Sequence, residues 1–151
     1  CRELISYTDG HYSTIAARSG RYIGGLSMGG TTALRLAFTH PDLFGKAGGH
    51  SPALWAGEVP GVMNLRVYPN EDLREERDPL RLARARDLRG IQVYLDCGEQ
   101  DDREFQAGCE ELDGILRARG IETSLHLGPG AHDVKYWRPM VEEYMLFYAG
   151  R

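Results

Sequence analysis

A serine stands between glycines at residues 25–29, in the order Gly-Leu-Ser-Met-Gly. This is the G-x-S-x-G pattern, in which a sharp turn from a strand into a helix exposes the serine hydroxyl above a sheet. The hydroxyl becomes a competent nucleophile only when a base is held beside it. The pattern therefore predicts Ser27 as the nucleophile of acyl transfer, while the alternative is a glycine-rich turn with an exposed serine.

The residue that follows the serine would begin the helix. Its backbone amide would point at the oxygen that gains negative charge during the reaction, and the helix dipole would add to that stabilisation. We therefore expect the amide of Met28 to be one donor of an oxyanion hole.

An acid-rich turn at residues 98–102 follows the strongest strand signal in the chain, residues 91–97. A carboxylate in such a turn can orient an imidazole and stabilise its protonated form. Asp101 and Asp102 are both candidates, and either could instead cap the helix that follows. Asp96 is expected within the strand and is the weaker candidate.

The base must come from five histidines. His132 lies in a loop, residues 128–133, between the last predicted strand and the last predicted helix, where an imidazole can reach Ser27. It also completes the chain order serine, acid, histidine. The others have different expected places: a strand for His126, a helix end for His40, a loop for His11, and a strand end near the pocket for His50.

Alternating strand and helix patterns must position these residues. Strands are predicted over residues 21–24, 45–50, 91–97 and 121–127. Helices are predicted over residues 28–39 and 134–148. A third helix is predicted to begin at residue 105 and to be capped by Gly120, and a charged, solvated helix is predicted to end at residue 88. This alternation favours an α/β fold of about four parallel strands with helices on both faces, and such sheets place their sites at the carboxyl ends of the strands.

Composition narrows the classes of function. The chain has 151 residues, of which 42% are hydrophobic and 26% charged, and its formal net charge is −4. It has no basic stripe for nucleic acid and no apolar run long enough to span a membrane, so we expect neither partner. A soluble chain is expected, and a cytoplasmic location is favoured.

The cysteines number three, Cys1, Cys97 and Cys109, without the paired spacing of a disulfide framework or a zinc site. We interpret them as free thiols. For the last two, packing in the core is the expected role.

Three segments near the serine carry a family resemblance: residues 24–30 (GGLSMGG), 33–37 (ALRLA) and 40–44 (HPDLF). They resemble the esterase D / putative esterase family of α/β-hydrolases, which is related to S-formylglutathione hydrolases, feruloyl and acetylxylan esterases, enterochelin esterases and mycolyltransferases. Residues 95–101 (LDCGEQD) look like its acid loop and residues 130–137 (GAHDVKYW) like its histidine segment.

The resemblance covers nearly the whole chain and implies a catalytic triad of Ser27, Asp101 and His132. It also implies hydrolysis of carboxylic esters through an acyl-enzyme, without a metal or organic cofactor. Residues 1–151 are expected to form one catalytic domain that corresponds to the C-terminal half of the usual fold.

The front of the chain departs from the family, because only about 20 residues precede the nucleophile strand. Family members have several strands there, and one early loop donates the second oxyanion amide. Residues 21–24 should therefore form an unpaired sheet edge. We expect a homodimer to cover this edge, because exposed edges of parallel sheets favour association.

The expected substrate is a small ester with a short acyl chain. His50, Trp55, Met63 and Trp137 are predicted to line its pocket, with ordinary helix packing as the alternative for Trp137. A serine carboxylesterase is the favoured function. The alternatives are a catalytically impaired fragment or binding module on the same fold, and an acyltransferase that uses the same triad with an alcohol in place of water.

Overall fold

In the computed structural model, which describes residues 2–59, 61 and 66–150, the sheet consists of four parallel strands. Their order across the sheet follows the chain: β1 (Tyr22–Leu26), β2 (Lys46–His50), β3 (Gln92–Gly98) and β4 (Glu122–Gly128). One row across the sheet consists of Leu26, His50, Asp96 and His126. All four carboxyl ends lie on the same side of the sheet, where the predicted site residues follow.

Six α-helices surround this sheet in the described residues: α1 (Arg2–His11), α2 (Met28–Thr39), α3 (Glu71–Arg77), α4 (Pro79–Ala85), α5 (Phe105–Ala118) and α6 (Val134–Ala149). The predicted α/β class with four parallel strands is confirmed, and the ends of its elements lie within a few residues of those expected. No helix within those residues combines the length and the apolar character needed to cross a membrane.

Two adjacent glycines in β2 show that helices cover both faces of the sheet. Neighbouring residues of a strand point to opposite faces. A Cβ on Gly48 would overlap the hydroxyl of Tyr148 on α6, whereas a Cβ on Gly49 would lie 2.8 Å from the Leu34 side chain on α2. Because β2 carries no side chain at these positions, both helices approach the backbone closely.

The main core lies on the face covered by α2, α4 and α5, which pack against one another. Its fully buried members include the large side chains Leu34, Phe38, Leu82, Leu95, Leu112 and Leu116. These residues follow the apolar periodicity of the helices and the continuous apolar run of β3, as expected for a strand buried on both faces.

The charged segment before β3 differs from the prediction of a solvated helix up to residue 88. It forms two helices, because Pro79 cannot donate the hydrogen bond that would continue α3. The side chain of Asp78 accepts a hydrogen bond from the amide of Leu80 and so caps α4. Of these two helices, α3 has no buried residue, while α4 buries Leu80 and Leu82 in the core.

Two glycines on α5 give a matched test of this packing. A Cβ on Gly108 would lie 2.5 Å from the carbonyl carbon of Leu54, whereas a Cβ on Gly114 would meet no heavy atom within 4 Å. We predict that Gly108→Ala destabilises the protein by about 1–3 kcal/mol through overpacking. Gly114→Ala should stabilise it by about 0.5–1 kcal/mol, because alanine favours the helix. Urea denaturation measures both, and a shift in the same direction for the two variants would contradict this account.

The predicted sheet edge is present, because β1 pairs only with β2 among the described strands. Exposed apolar side chains lie on this strand and on α6: Tyr22, Leu26, Val134, Val141 and Met145. A cavity of about 570 Å³ runs between the strand and the helix. We therefore keep the prediction that a second copy of the chain covers this surface in a two-fold dimer. Sedimentation equilibrium at micromolar concentration should give twice 16.9 kDa, and a monomer would contradict the prediction.

Candidate active site

Ser27 lies in the sharp turn between β1 and α2, with backbone angles φ 54° and ψ −124°. A residue other than glycine pays about 1–3 kcal/mol for such a conformation, and the surroundings must hold it there. The Ser27 amide donates to the His50 carbonyl at 2.9 Å, and the Ala53 amide donates to the Ser27 carbonyl at 3.3 Å. Both bonds fix the turn to the chain at the end of β2.

Two hydrogen bonds connect Ser27, His132 and Asp101. The Nε2 atom of His132 lies 2.8 Å from Ser27 Oγ, and its Nδ1 atom lies 2.8 Å from Asp101 Oδ2. The side chains of His132 and Asp101 are 5% and 0% exposed. The loops after β1, β3 and β4 thus bring together the three residues that the sequence predicted as a triad, in the geometry of a nucleophile, its base and the acid that orients the base.

The two candidate acids have different surroundings. Asp101 uses Oδ2 to accept from His132 and from the Cys97 thiol at 3.6 Å, and its Oδ1 accepts from the Arg103 amide at 3.0 Å. The Asp102 side chain is 89% exposed, and its Oδ1 lies 3.9 Å from Arg103 Nε. The geometry therefore favours Asp101 as the partner of the imidazole.

Asp96 lies within β3, as expected, and is fully buried. Its Oδ2 accepts a hydrogen bond of 2.5 Å from the Tyr144 hydroxyl, and its Oδ1 accepts one of 3.0 Å from the Ser51 amide. Burial and the bond to Asp96 raise the pKa of the Tyr144 hydroxyl, so it remains a donor. Asp96 therefore stabilises the chain beneath the site.

The side chains of the other four histidines make no hydrogen bond to Ser27 Oγ in the part of the chain that the structure describes. His126 is in β4, His40 caps the end of α2, and His11 ends α1 rather than lying in a loop. His50 is buried at the end of β2, where it stacks on Tyr144 with ring centroids 3.7 Å apart. Among the described histidines, His132 is the one whose ring bonds to Ser27 Oγ.

One of the cysteines, Cys97, contacts the candidate acid Asp101. Cys97 and Cys109 are free and buried, and Cys1 lies outside the described residues. The pKa of the Cys109 thiol is raised well above its ordinary value, mainly by a hydrogen bond to Cys97 and also by burial. Both observations agree with the interpretation of Cys109 as a protonated core thiol, while Cys97 adds a donor to Asp101.

Met28 is the first residue of α2. The N–H groups of the first helical turn have no acceptor within their helix and carry the positive end of its dipole. The Met28 amide is therefore placed for the predicted oxyanion role, which stays a prediction.

A cavity of about 430 Å³ opens beside Ser27 and is lined by Ser27, Met28, Ala53, Trp55, Phe105 and the loop residues 102–104. Trp55 meets Phe105 edge to face, with ring centroids 5.3 Å apart. The larger cavity along β1 and α6 does not include Ser27 in its lining. The smaller cavity is therefore the candidate substrate pocket.

The four predicted pocket residues are not all found there. Trp55 lines the cavity at Ser27, whereas His50 and Trp137 line the larger cavity along β1. Met63 lies outside the described residues. Substrate contacts of these residues stay predictions.

Sequence reasoning passed over Phe105 and Arg103 as pocket residues. Phe105 packs against His132, with ring centroids 5.4 Å apart, and also lines the pocket. Both residues directly follow the acid turn. A signal was available, because a chain segment adjoining the acid must pass close to the histidine that the acid orients.

Comparison with known proteins identifies the family of the chain. Residues 1–147 match the family model described as "Putative esterase". The chain belongs to the putative esterase family. The resemblance predicted from the sequence is thereby confirmed.

Individual relatives in this family are distant. A ferulic acid esterase structure is 25% identical, with a TM-score of 0.78, and the match covers 97% of this chain and 58% of that one. A fluorophosphonate-binding serine hydrolase of Staphylococcus aureus is 26% identical, with a TM-score of 0.73, covering 97% and 61%. An uncharacterised protein of Corynebacterium glutamicum is 26% identical over 125 residues, which are 77% of this chain and 29% of that protein. The chain thus spans about three fifths of these solved relatives and less than a third of the curated one.

The two aspartates of the acid turn can be separated experimentally. We predict that Asp101→Asn slows labelling of Ser27 by a fluorophosphonate by roughly 1,000- to 10,000-fold, because the imidazole loses the partner that fixes its tautomer. Asp102→Asn, the matched control, should label at nearly the normal rate, since this side chain faces solvent. Mass spectrometry of the labelled peptide gives the rate and the site. The opposite ranking of the two variants would assign the role to Asp102.

Proposed function

We propose that this chain carries the catalytic machinery of a serine carboxylesterase that hydrolyses small esters with short acyl chains. The observation that carries the proposal is the pair of 2.8 Å contacts from His132 to Ser27 and to Asp101. Membership of the putative esterase family supports the same reaction class. The chain spans only about three fifths of these relatives. Its catalytic activity is therefore proposed from its own site rather than taken over from them.

Acylation would begin at Ser27. Its oxygen attacks the ester carbonyl carbon while His132 Nε2 takes the hydroxyl proton. The Nδ1–H group of His132 donates a hydrogen bond to Asp101, which keeps the imidazole in the required tautomer and stabilises the imidazolium. The carbonyl oxygen gains a negative charge beside the Met28 amide, which stabilises it.

The tetrahedral intermediate then releases the alcohol. The bond to the alcohol oxygen breaks as His132 returns the proton to that oxygen, which leaves an acyl group on Ser27. Water repeats the sequence: His132 takes its proton, the remaining hydroxide attacks the acyl carbon, and Ser27 leaves with the proton from the imidazolium. The products are one alcohol and one carboxylic acid.

The proposal of a short acyl chain rests on the pocket at Ser27. Ala53, Trp55 and Phe105 form its apolar part, and Asp102, Arg103 and Glu104 form a charged rim. We infer that an acetyl or butyryl group binds against this apolar part. A long chain would have to leave its apolar contacts or extend into solvent, so its burial would contribute little binding energy.

A catalytically impaired fragment or binding module on the same fold is the second candidate, and it is favoured because the chain spans only part of its relatives. The sheet of the chain begins at the nucleophile strand. If the second oxyanion donor comes from a loop that this chain does not contain, the reaction would be slower by roughly 100- to 1,000-fold.

We predict turnover of p-nitrophenyl acetate and butyrate, with a lower kcat/KM for the octanoate ester. Ser27→Ala should abolish this turnover, because it removes the nucleophile. Ser124→Ala is the matched control, since this serine lies in the middle of β4, far along the strand from its carboxyl end. The rate of p-nitrophenol release measures turnover by the unmodified chain and by both variants. Absence of both burst and turnover in the unmodified chain would favour the binding module.

A further inference from the structure

Ser51 follows the last residue of β2 and is fully buried. Its φ of 44° lies in the left-handed region, which serine adopts only at a cost in free energy. Its Oγ accepts a hydrogen bond of 2.9 Å from the Trp137 indole Nε1. The side chain of this strained residue therefore connects β2 to α6, and the mechanism above gives it no role.

Asp96 holds the backbone of Ser51 in place. The Ser51 amide lies 3.0 Å from Asp96 Oδ1 and 2.9 Å from the Asp96 carbonyl oxygen. Asp96 is itself fixed by the Tyr144 hydroxyl at 2.5 Å. Because β3 supplies both acceptors, the position of the Ser51 hydroxyl is set by the sheet rather than by a mobile loop.

Trp137 connects Ser51 to His132, the proposed base. Its ring lies 5.0 Å from the His132 ring at an interplanar angle of 84°, and the Phe105 ring lies on the same imidazole at 5.4 Å and 72°. His132 itself belongs to a loop between β4 and α6. Its imidazole is therefore oriented by its two hydrogen bonds and by two aromatic rings, one of which is held by Ser51.

We propose that Ser51 is a positioning residue for the catalytic base, acting through its hydrogen bond to Trp137. The bond fixes the indole, and the indole keeps the His132 ring in the plane that reaches both Ser27 and Asp101. This inference rests on the proposed function, which assigns His132 as the base. A rotation of the imidazole would lengthen one or both of its 2.8 Å contacts.

If the bond between Trp137 and Ser51 only stabilises the fold, a different result is expected. A buried indole N–H needs an acceptor whether or not its ring touches a catalytic group. In that case, loss of the Ser51 hydroxyl would lower stability and leave the turnover of folded molecules unchanged. A positioning role lowers kcat at saturating substrate, while KM for a small ester stays nearly the same.

The test compares Ser51→Ala, Trp137→Phe and the double variant. Each single change should lower kcat for p-nitrophenyl acetate by about 10- to 100-fold, as expected for a small misplacement of a reacting group. The double variant should be no slower than the slower single one, because both changes remove the same bond. Ser124→Ala is again the control, and the midpoint of thermal unfolding shows that each protein is folded at the assay temperature.

A second readout does not need activity. In the proton NMR spectrum, the Nδ1 proton of His132, bonded to Asp101, should give a resonance far downfield, which Ser51→Ala should shift or broaden. If the unmodified chain shows no Ser27-dependent turnover, the proposed function fails, and this resonance still decides the positioning role. Unchanged kcat with an unchanged resonance, or multiplicative effects in the double variant, would overturn the inference.

Discussion

The close approach of α2 to the ends of β1 and β2 is the constraint on which the site depends. A Cβ on Gly25 would lie 2.6 Å from the carbonyl carbon of Gly29, and a Cβ on Gly30 would lie 2.8 Å from the Gly25 carbonyl oxygen. With glycine at these positions, the first turn of the helix contacts the strand backbone directly. The chain can then pass from strand to helix only through a sharp turn, and Ser27 occupies it with a positive φ. Nucleophile exposure and the placement of the Met28 amide both follow from this one contact.

Backbone strain is concentrated around the same place. Among the described residues, those other than glycine with positive φ are Ser27, Ser51 and Glu104. Ser27 begins the nucleophile turn, Ser51 holds Trp137, and Glu104 precedes α5 at the rim of the pocket. Each conformation costs free energy that packing and hydrogen bonds nearby must offset. Such strain is expected where the direction of a side chain matters more than local stability.

The sequence predicted the parts of the fold that depend on local pattern. The helix over residues 28–39 and the four parallel strands followed from periodicity and from the alternation of strands and helices, and the candidate site residues followed from motifs at strand ends. The break at Pro79 was missed because the crowding of charges concealed a helix that is buried on one side. The contact of Ser51 with Trp137 was missed for another reason. It joins residues 86 positions apart along the chain, and no local pattern encodes such a distance.

Two aspartates on the same strand and its following turn illustrate how surroundings divide chemical roles. Asp96 accepts hydrogen bonds from the Ser51 amide and the Tyr144 hydroxyl. The Nδ1 atom of His50 lies 3.6 Å from Asp96 Oδ1, beyond hydrogen-bond distance, so this ring is not bonded to the carboxylate. Asp101 offers Oδ2 to the His132 imidazole, which in the proposed mechanism gains and loses a proton in every half-reaction. Both carboxylates are buried, so burial alone does not distinguish them. The difference lies in the partner: a carboxylate bonded to fixed donors stabilises the fold, and one bonded to a titrating ring is placed to stabilise a transient charge.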